Sequence, residues 1–219
     1  MSEKKTYHHG DLRKKLLDTA LEIISEHGLE KISMRGLGRR LGVSRTAPYR
    51  HFSDKSALLC AIAEQGYKRL TAAMNHPSQQ LSDDPLTRLK NTGIAYVEFA
   101  VSNPVHYRIM FGNEILESKR TPELVKSAET TFNELLNAVK VCRNEGVVKP
   151  FDPYIVANTL WSMTHGISTL LIDGQIQAVN AFKGPPAMLQ AVSDPERVDV
   201  KQIFEHMEEI LITGLLATR

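Results

Sequence analysis

The sequence predicts an all-α fold of about nine helices. Apolar residues recur at the three- and four-residue spacing of helix faces along most of the chain. Four helix starts after residue 80 show a capping Asp, Asn or Thr directly before a proline. No useful stretch alternates apolar and polar residues as a half-buried strand does. The 219 residues, 42% apolar and 24% charged, suffice for a substantial core.

The first helix is predicted from an apolar stripe between Leu12 and Ile24. Asp11 stands where a capping residue would begin this helix, and Gly28 stands where a glycine would end it.

The next segment predicts a helix-turn-helix. One helix is expected from about Ser33 to Leu41 and another from about Arg45 to Phe52. Gly42 lies between them, where a residue without Cβ can take a left-handed conformation, and Ser44 is a suitable N-cap for the second helix. Pro48 falls near its first turn, where a missing N–H is tolerated. Such a unit lays its second helix in a DNA major groove.

Two glycines are unusual within this motif. Gly36 and Gly38 lie inside the predicted second helix, where each weakens it by roughly 1 kcal/mol relative to alanine. Their small size suits close approach either to the first helix or to DNA, and both explanations stay open at this point.

Longer helices are predicted for the remaining chain. Their expected ranges are about Ser53–Met74, Asp84–Ser102, Asn103–Gly112, Thr121–Gly146, Asp152–Gly174 and Glu196–Ala217, with a loop over 174–195. The last helix is more apolar than a surface helix of a monomer requires, which favours packing in a dimer over coverage by a large monomeric core.

Charge is unevenly distributed. Residues 1–60 hold twelve Lys or Arg against seven Asp or Glu, and the other residues hold fifteen against eighteen. The basic end contains the helix-turn-helix, as binding to a polyanion requires, although a solvated basic surface would look the same.

Candidate DNA contacts follow from these observations. Hydroxyl groups reach phosphates or bases, arginines hold phosphate or pair with guanine, and a small residue fits against a thymine methyl group. The candidates are Ser33, Arg35, Ser44, Arg45, Thr46, Ala47, Tyr49, Arg50, His51 and Lys55. Alternatives are core packing for Tyr49, capping or solvent exposure for His51, and a plain surface role for Arg35.

The stretch from about Tyr7 to Ala63, above all GVSRTAPYRHFSDKSALL, resembles the TetR family of transcriptional regulators. The body segment LWSMTHGISTLL, with Trp161, His165 and Gly166, resembles the Trp-His-Gly body of one branch. The chain departs from the family at Gly38, where alanine is usual.

The resemblance implies a DNA-binding head over residues 1–56 and an effector-binding and dimerisation body over residues 57–219. It implies that Tyr49, His51 and Lys55 match positions that clamp the DNA backbone. It also implies a homodimer in which the last two helices of each protomer pack with those of its partner in a four-helix bundle. In that family a small molecule usually shifts the fourth helix and releases a palindromic operator, and repression is commoner than activation.

An apolar effector site is expected in the body. The aromatic, Met and occasional polar residues that suit such a site are Tyr96, Phe99, Tyr107, Met110, Phe111, Trp161 and His165. A helical core uses the same mixture, so each residue has that alternative. His165 is either the polar anchor of the pocket or a core histidine bonded to a backbone carbonyl.

Other functions find little support in the sequence. No phosphate-binding glycine loop, GxSxG, HExxH or cysteine-rich pattern is present, so we predict no enzyme, cofactor or metal. His8 and His9 are too few to hold a metal; a basic arm on DNA or a disordered tail explains them better. A transcriptional activator, or a helical interaction module without effector, is the remaining alternative.

A cytoplasmic location is expected. The N-terminus lacks the apolar core of a signal peptide, and no apolar run is long enough to span a membrane. Cys60 and Cys142 are distant in sequence, as expected of free thiols in a reducing compartment, and a redox switch between them is the alternative.

Overall fold

The computed structural model describes residues 9–76, 82–175 and 214, and these residues confirm the all-α fold. They form seven α-helices and no β-strand. The helices are α1 (His9–His27), α2 (Met34–Arg40), α3 (Lys55–Met74), α4 (Pro85–Ser102), α5 (Pro104–Phe111), α6 (Pro122–Asn144) and α7 (Pro153–Ile172). The described residues exclude nearly all of the predicted loop after residue 174. They also exclude the predicted last helix, apart from residue 214, and His8 with the tail before it.

The four predicted helix starts after residue 80 are confirmed, because α4, α5, α6 and α7 each begin at the predicted proline. The Asp84 carboxylate accepts a hydrogen bond from the Thr87 backbone N–H at 2.9 Å, directly before α4. The Asp152 carboxylate accepts one from the Tyr154 N–H at 2.7 Å, directly before α7. Each bond satisfies a backbone donor that has no partner within its helix. Local chemistry therefore determines where these helices begin.

The start of α1 differs from the prediction. The helix begins at His9, so Asp11 lies within its first turn instead of capping it. The predicted end is confirmed, since Gly28 directly follows the helix with a φ of 86°.

The described chain divides into two compact units. The N-terminal unit contains the chain up to Tyr67 together with Val105–Ala128, and the C-terminal unit contains Lys68–Pro104 and the chain from Glu129 onward. Helix α3 contributes to both units. The predicted boundary between residues 56 and 57 remains a prediction.

Each unit has its own apolar interior. In the N-terminal unit, Leu16, Leu37, Leu58 and Ile62 are completely buried. The C-terminal unit has a core that draws on α4, α6 and α7 and on the segment before α7; its buried members are Leu89, Leu136, Val139, Cys142, Val148, Val156 and Ala157. The apolar stripes predicted from the sequence thus face these interiors.

Both cysteines are free and buried. Burial raises the pKa of the Cys60 thiol, whose Sγ donates to the Lys119 carbonyl at 3.3 Å. Burial raises the pKa of the Cys142 thiol to about 11. Since the thiolate is the reactive form, a raised pKa lowers the reactivity of both thiols near neutral pH.

Within the described residues, no helix combines the length and apolar character that crossing a membrane requires.

Candidate functional site

The turn of the helix-turn-helix forms as predicted. Gly42 has a φ of 66°, in the left-handed region that favours glycine. The Val43 N–H donates to the Gly38 carbonyl at 2.9 Å, which closes the turn after α2. Ser33 caps α2, because its hydroxyl accepts from the Gly36 N–H at 3.1 Å. The first half of the motif is therefore held by local hydrogen bonds.

The segment after the turn is not the α-helix predicted over 45–52. Most of its backbone bonds span three residues, among them those from the Tyr49 N–H to the Thr46 carbonyl at 3.1 Å and from the Arg50 N–H to the Ala47 carbonyl at 3.2 Å. Only Pro48–Arg50 forms a short 3-10 helix. Pro48 has no N–H to donate one turn back, so the tighter pattern replaces the α-helical one.

The predicted capping role of Ser44 is also wrong. Ala47 occupies the position before the 3-10 helix and provides no side-chain cap. The Ser44 hydroxyl instead lies 3.3 Å from the Thr46 hydroxyl, and the Ser44 carbonyl accepts from the Ala47 N–H. The late start of the helical turn at Pro48 explains the difference.

Gly38 approaches neither the first helix nor an external surface. It is buried, and a Cβ built there would lie 3.2 Å from the Ser44 carbonyl oxygen and 3.4 Å from Pro48 Cγ. The glycine thus lets α2 pack closely against the segment that follows the turn, and it stands where the resemblance leads us to expect alanine. Gly36 differs, since a Cβ there would lie 2.8 Å from the Ser33 hydroxyl.

We expect Gly38→Val to lower the free energy of unfolding by about 1–3 kcal/mol, because the Ser44 backbone must move to make room. Urea unfolding followed by circular dichroism measures this change. Arg39→Val is the matched control, since Arg39 is exposed in the same helix and its change costs only a few tenths of a kcal/mol in propensity. Equal stability of the two variants would contradict the packing role.

Most predicted DNA contacts lie on the surface of the N-terminal unit. Tyr49 is 45% exposed, which excludes the core-packing alternative, whereas Phe52 is buried. Ala47, His51 and Lys55 are partly buried. The remaining candidates are all exposed, and these are Ser33, Arg35, Ser44, Arg45, Thr46 and Arg50. Hydroxyl and guanidinium groups thus lie at the surface on both sides of the turn.

Lys55 has a structural contact that the sequence did not indicate. Its ammonium group donates to the Leu29 carbonyl at 2.9 Å and so ties the start of α3 to the turn after α1. An ammonium group has three donors, so two N–H groups remain for a phosphate. No sequence pattern marks a bond between residues 26 positions apart.

Three of the predicted effector residues meet in the C-terminal unit. The Tyr96 hydroxyl lies 3.3 Å from His165 Nδ1, and the Trp161 and His165 rings are 5.7 Å apart. Phe132 adds an edge contact to Trp161, with ring centroids 6.3 Å apart. The fourth predicted residue of this unit, Phe99, is buried in α4. His165 therefore has a tyrosine partner, whereas the two alternatives from the sequence were a polar anchor of the pocket and a core histidine bonded to a backbone carbonyl.

The other three predicted effector residues lie on α5, in the N-terminal unit. Tyr107 and Met110 are buried, and the Tyr107 and Phe111 rings are 4.8 Å apart. The Tyr67 hydroxyl donates to the Met110 carbonyl at 3.2 Å, and burial raises the pKa of Tyr67 to about 12. Within this unit these residues build a core, which was the alternative considered for each of them.

Burial lowers the pKa of His165 below its usual value of 6.5, so the imidazole is neutral in the folded protein near pH 7. The unfolded chain then binds more protons between the two pKa values, and stability falls as the pH drops through 6.5 toward the lower folded value. We expect His165→Gln to remove this part of the acid sensitivity. Urea unfolding at pH 7.5 and at pH 5.5 measures how much the free energy of unfolding falls between these two pH values. An equal fall in the variant and in the unchanged protein would contradict this role of His165.

Two family models match the chain. Residues 16–62 match the model described as bacterial regulatory proteins of the tetR family. Residues 89–192 match the model described as the tetracyclin repressor-like C-terminal domain. The first match contains the helix-turn-helix, and the second contains α4 from residue 89 onward together with α5 to α7.

Individual relatives agree with the family models. The chain is 29% identical over 161 residues to the nucleoid occlusion factor SlmA of Vibrio cholerae, covering 70% of this chain and 80% of that protein. It is 37% identical over 84 residues to the class C tetracycline repressor protein of Escherichia coli, covering 38% and 37%. A solved structure of a protein of unknown function from Rhodococcus sp. RHA1 matches with a TM-score of 0.80 and 27% identity, covering 98% and 100%.

The head geometry, the two family models and these relatives lead to one conclusion. The chain belongs to the TetR family of DNA-binding transcriptional regulators.

Proposed function

We propose that this protein is a repressor that binds a palindromic operator as a homodimer and is released by a small, largely apolar effector. The observation that carries the proposal is a set of exposed hydroxyl and basic side chains after the turn, namely Ser44, Arg45, Thr46, Tyr49 and Arg50. The same unit buries Leu37 and Phe52. A site on rigid elements presents its contacts to DNA in a defined geometry.

The proposed docking divides the contacts into two kinds. Tyr49, His51 and Lys55 hold phosphates, together with Ser33 and Arg35 at the start of α2, and these contacts set register. Side chains of Ser44–Ala47 and Arg50 face base edges in the major groove. Because Ala47 and Arg50 are three residues apart in a 3-10 arrangement, their side chains align on one edge.

The dimer proposal has support from α7. Three large apolar or aromatic side chains of this helix are exposed in the single chain, Ile155 at 67%, Tyr154 at 57% and Leu170 at 47%. Exposed apolar surface of this kind marks an interaction surface. A dimer also places two heads on two half-sites about one DNA turn apart, roughly 34–36 Å.

The effector proposal has support from the cluster of Tyr96, Trp161 and His165. Their rings offer an apolar surface with one polar pair, which suits a largely apolar molecule that carries one hydrogen-bonding group. Repression is favoured over activation because a relative is named a repressor. The proposal includes a cytoplasmic location, because the protein must reach the DNA that carries its operator.

Selection of bound DNA from a random or genomic pool with the purified protein tests this function. We expect enrichment of a palindromic motif, and a dimer of 24.5 kDa chains by sedimentation. Small molecules that release the selected operator then identify the effector class. Absence of enrichment at low salt would contradict operator binding, and a monomer on the selected site would contradict the dimer.

A further inference from the structure

A second polar feature lies beside the proposed DNA surface in the N-terminal unit. It is an open groove between the end of α1 and one side of α2, with a volume of about 600 Å³. Five of its seven lining residues are basic or polar, namely His27, Lys31, Ser33, Arg39 and Arg40, and Ile23 and Gly36 complete the lining. Such a lining suits an anion that keeps part of its hydration.

The charges of the groove are only partly compensated. Arg40 forms ion pairs with Glu26 at 3.4 Å and Glu22 at 3.9 Å, both on α1. Lys31 and Arg39 are exposed, and no acidic side chain lies within ion-pair distance of either among residues 9–76 and 82–175. The groove therefore presents two positive charges to solvent.

The groove is continuous with the proposed DNA surface. Ser33 lines it and is also one of the proposed phosphate contacts. Arg35 and Arg39 are four residues apart in α2 and so lie on the same helix face. A DNA strand held by Arg35 continues as a regular row of phosphates, which brings the next negative charges toward Arg39.

We propose that this groove binds a phosphodiester of the DNA backbone outside the bases faced by Ser44–Arg50, with Lys31 and Arg39 supplying the charge. The inference rests on the proposed DNA-binding function and extends its footprint. A backbone contact positions the protein and carries no sequence information of its own. The groove thus strengthens binding equally on every flanking sequence.

The test compares the Lys31→Gln/Arg39→Gln variant with the unchanged protein over a range of salt concentrations. Two duplexes of equal length are used, one with the selected operator and one without it. We expect the slope of log affinity against log salt to become shallower by about 0.9 for each phosphate that the variant no longer neutralises. The fold-loss of affinity should be the same on both duplexes.

Arg69→Gln/Arg143→Gln is the matched control, because it removes the same charge from exposed sites in the C-terminal unit and should leave the slope unchanged. If the double variant folds poorly, the single variant Lys31→Gln keeps the test valid, because Lys31 lies outside the α-helices. Unchanged slope and affinity in the variants would overturn the groove contact and leave operator binding intact. A loss of affinity confined to the operator duplex would overturn the assignment of this contact to the DNA backbone. If the protein without substitutions binds neither duplex, both proposals are overturned.

Discussion

Replacing Tyr49 and Lys55 together by alanine should lower operator affinity about 100-fold, because each hydrogen bond to a charged phosphate is worth about 1.5–3 kcal/mol and each 1.4 kcal/mol is tenfold. Tyr49 is 45% exposed and Lys55 retains two donors, so both side chains are available to DNA. Fluorescence anisotropy with the selected operator measures the affinity. Loss of the Lys55 charge should also make the salt slope shallower by about 1.

The bond of Lys55 to the Leu29 carbonyl complicates the double variant, since its removal also weakens the head. Tyr49→Phe avoids this difficulty, because it removes only the hydroxyl group and should lower affinity about tenfold. Lys140→Ala removes an exposed lysine from α6 and serves as the charge control. Full affinity in the double variant, at unchanged dimer and helix content, would refute the proposed docking.

The second large effect is expected from Leu37→Ala. Leu37 is completely buried at the centre of α2, so its truncation should lower the free energy of unfolding by about 3–5 kcal/mol. DNA affinity should fall with it, because Leu37 supports the segment that carries the proposed contacts. Leu116→Ala is the matched control, since Leu116 is 65% exposed and should change stability by no more than about 0.5 kcal/mol.

Two spectroscopic signals show which unit loses stability in the Leu37→Ala variant. Circular dichroism reports all helices, whereas the fluorescence of Trp161, the single tryptophan, reports the C-terminal unit. Comparison of their urea midpoints shows whether the loss of stability is confined to the N-terminal unit. A Leu37→Ala variant as stable as Leu116→Ala would contradict the role of Leu37 as a core residue.

The predictions that were confirmed depend on short-range chemistry. Asp84 and Asp152 stand one residue before a proline, and each caps the helix that begins there. Gly42 takes the left-handed conformation that its place in the turn requires. In each case the partners lie within a few residues of one another, so the sequence contains both halves of the interaction.

The predictions that were wrong in the helix-turn-helix concern the segment 45–52, where one residue changes the backbone hydrogen bonding of its neighbours. Ser44 and Pro48 are both good residues for a helix start, but Pro48 also removes the donor on which an α-helix over 45–52 depends. The backbone therefore forms bonds three residues apart, and Ser44 loses its place as the cap. Counting favourable residue types does not reveal this competition.

The amino-acid sequence by itself determined the all-α class, the starts of α4 to α7, and the first helix and the turn of the helix-turn-helix with their basic surroundings. Only the tertiary structure decided that Gly38 approaches Ser44, that Lys55 binds the Leu29 carbonyl and that Tyr96 meets His165. The physical reason is the separation in sequence of the residues that interact. Helix caps and apolar periodicity act between neighbours in the chain, whereas the two longer contacts join residues 26 and 69 positions apart, which only the packing of separate segments brings together.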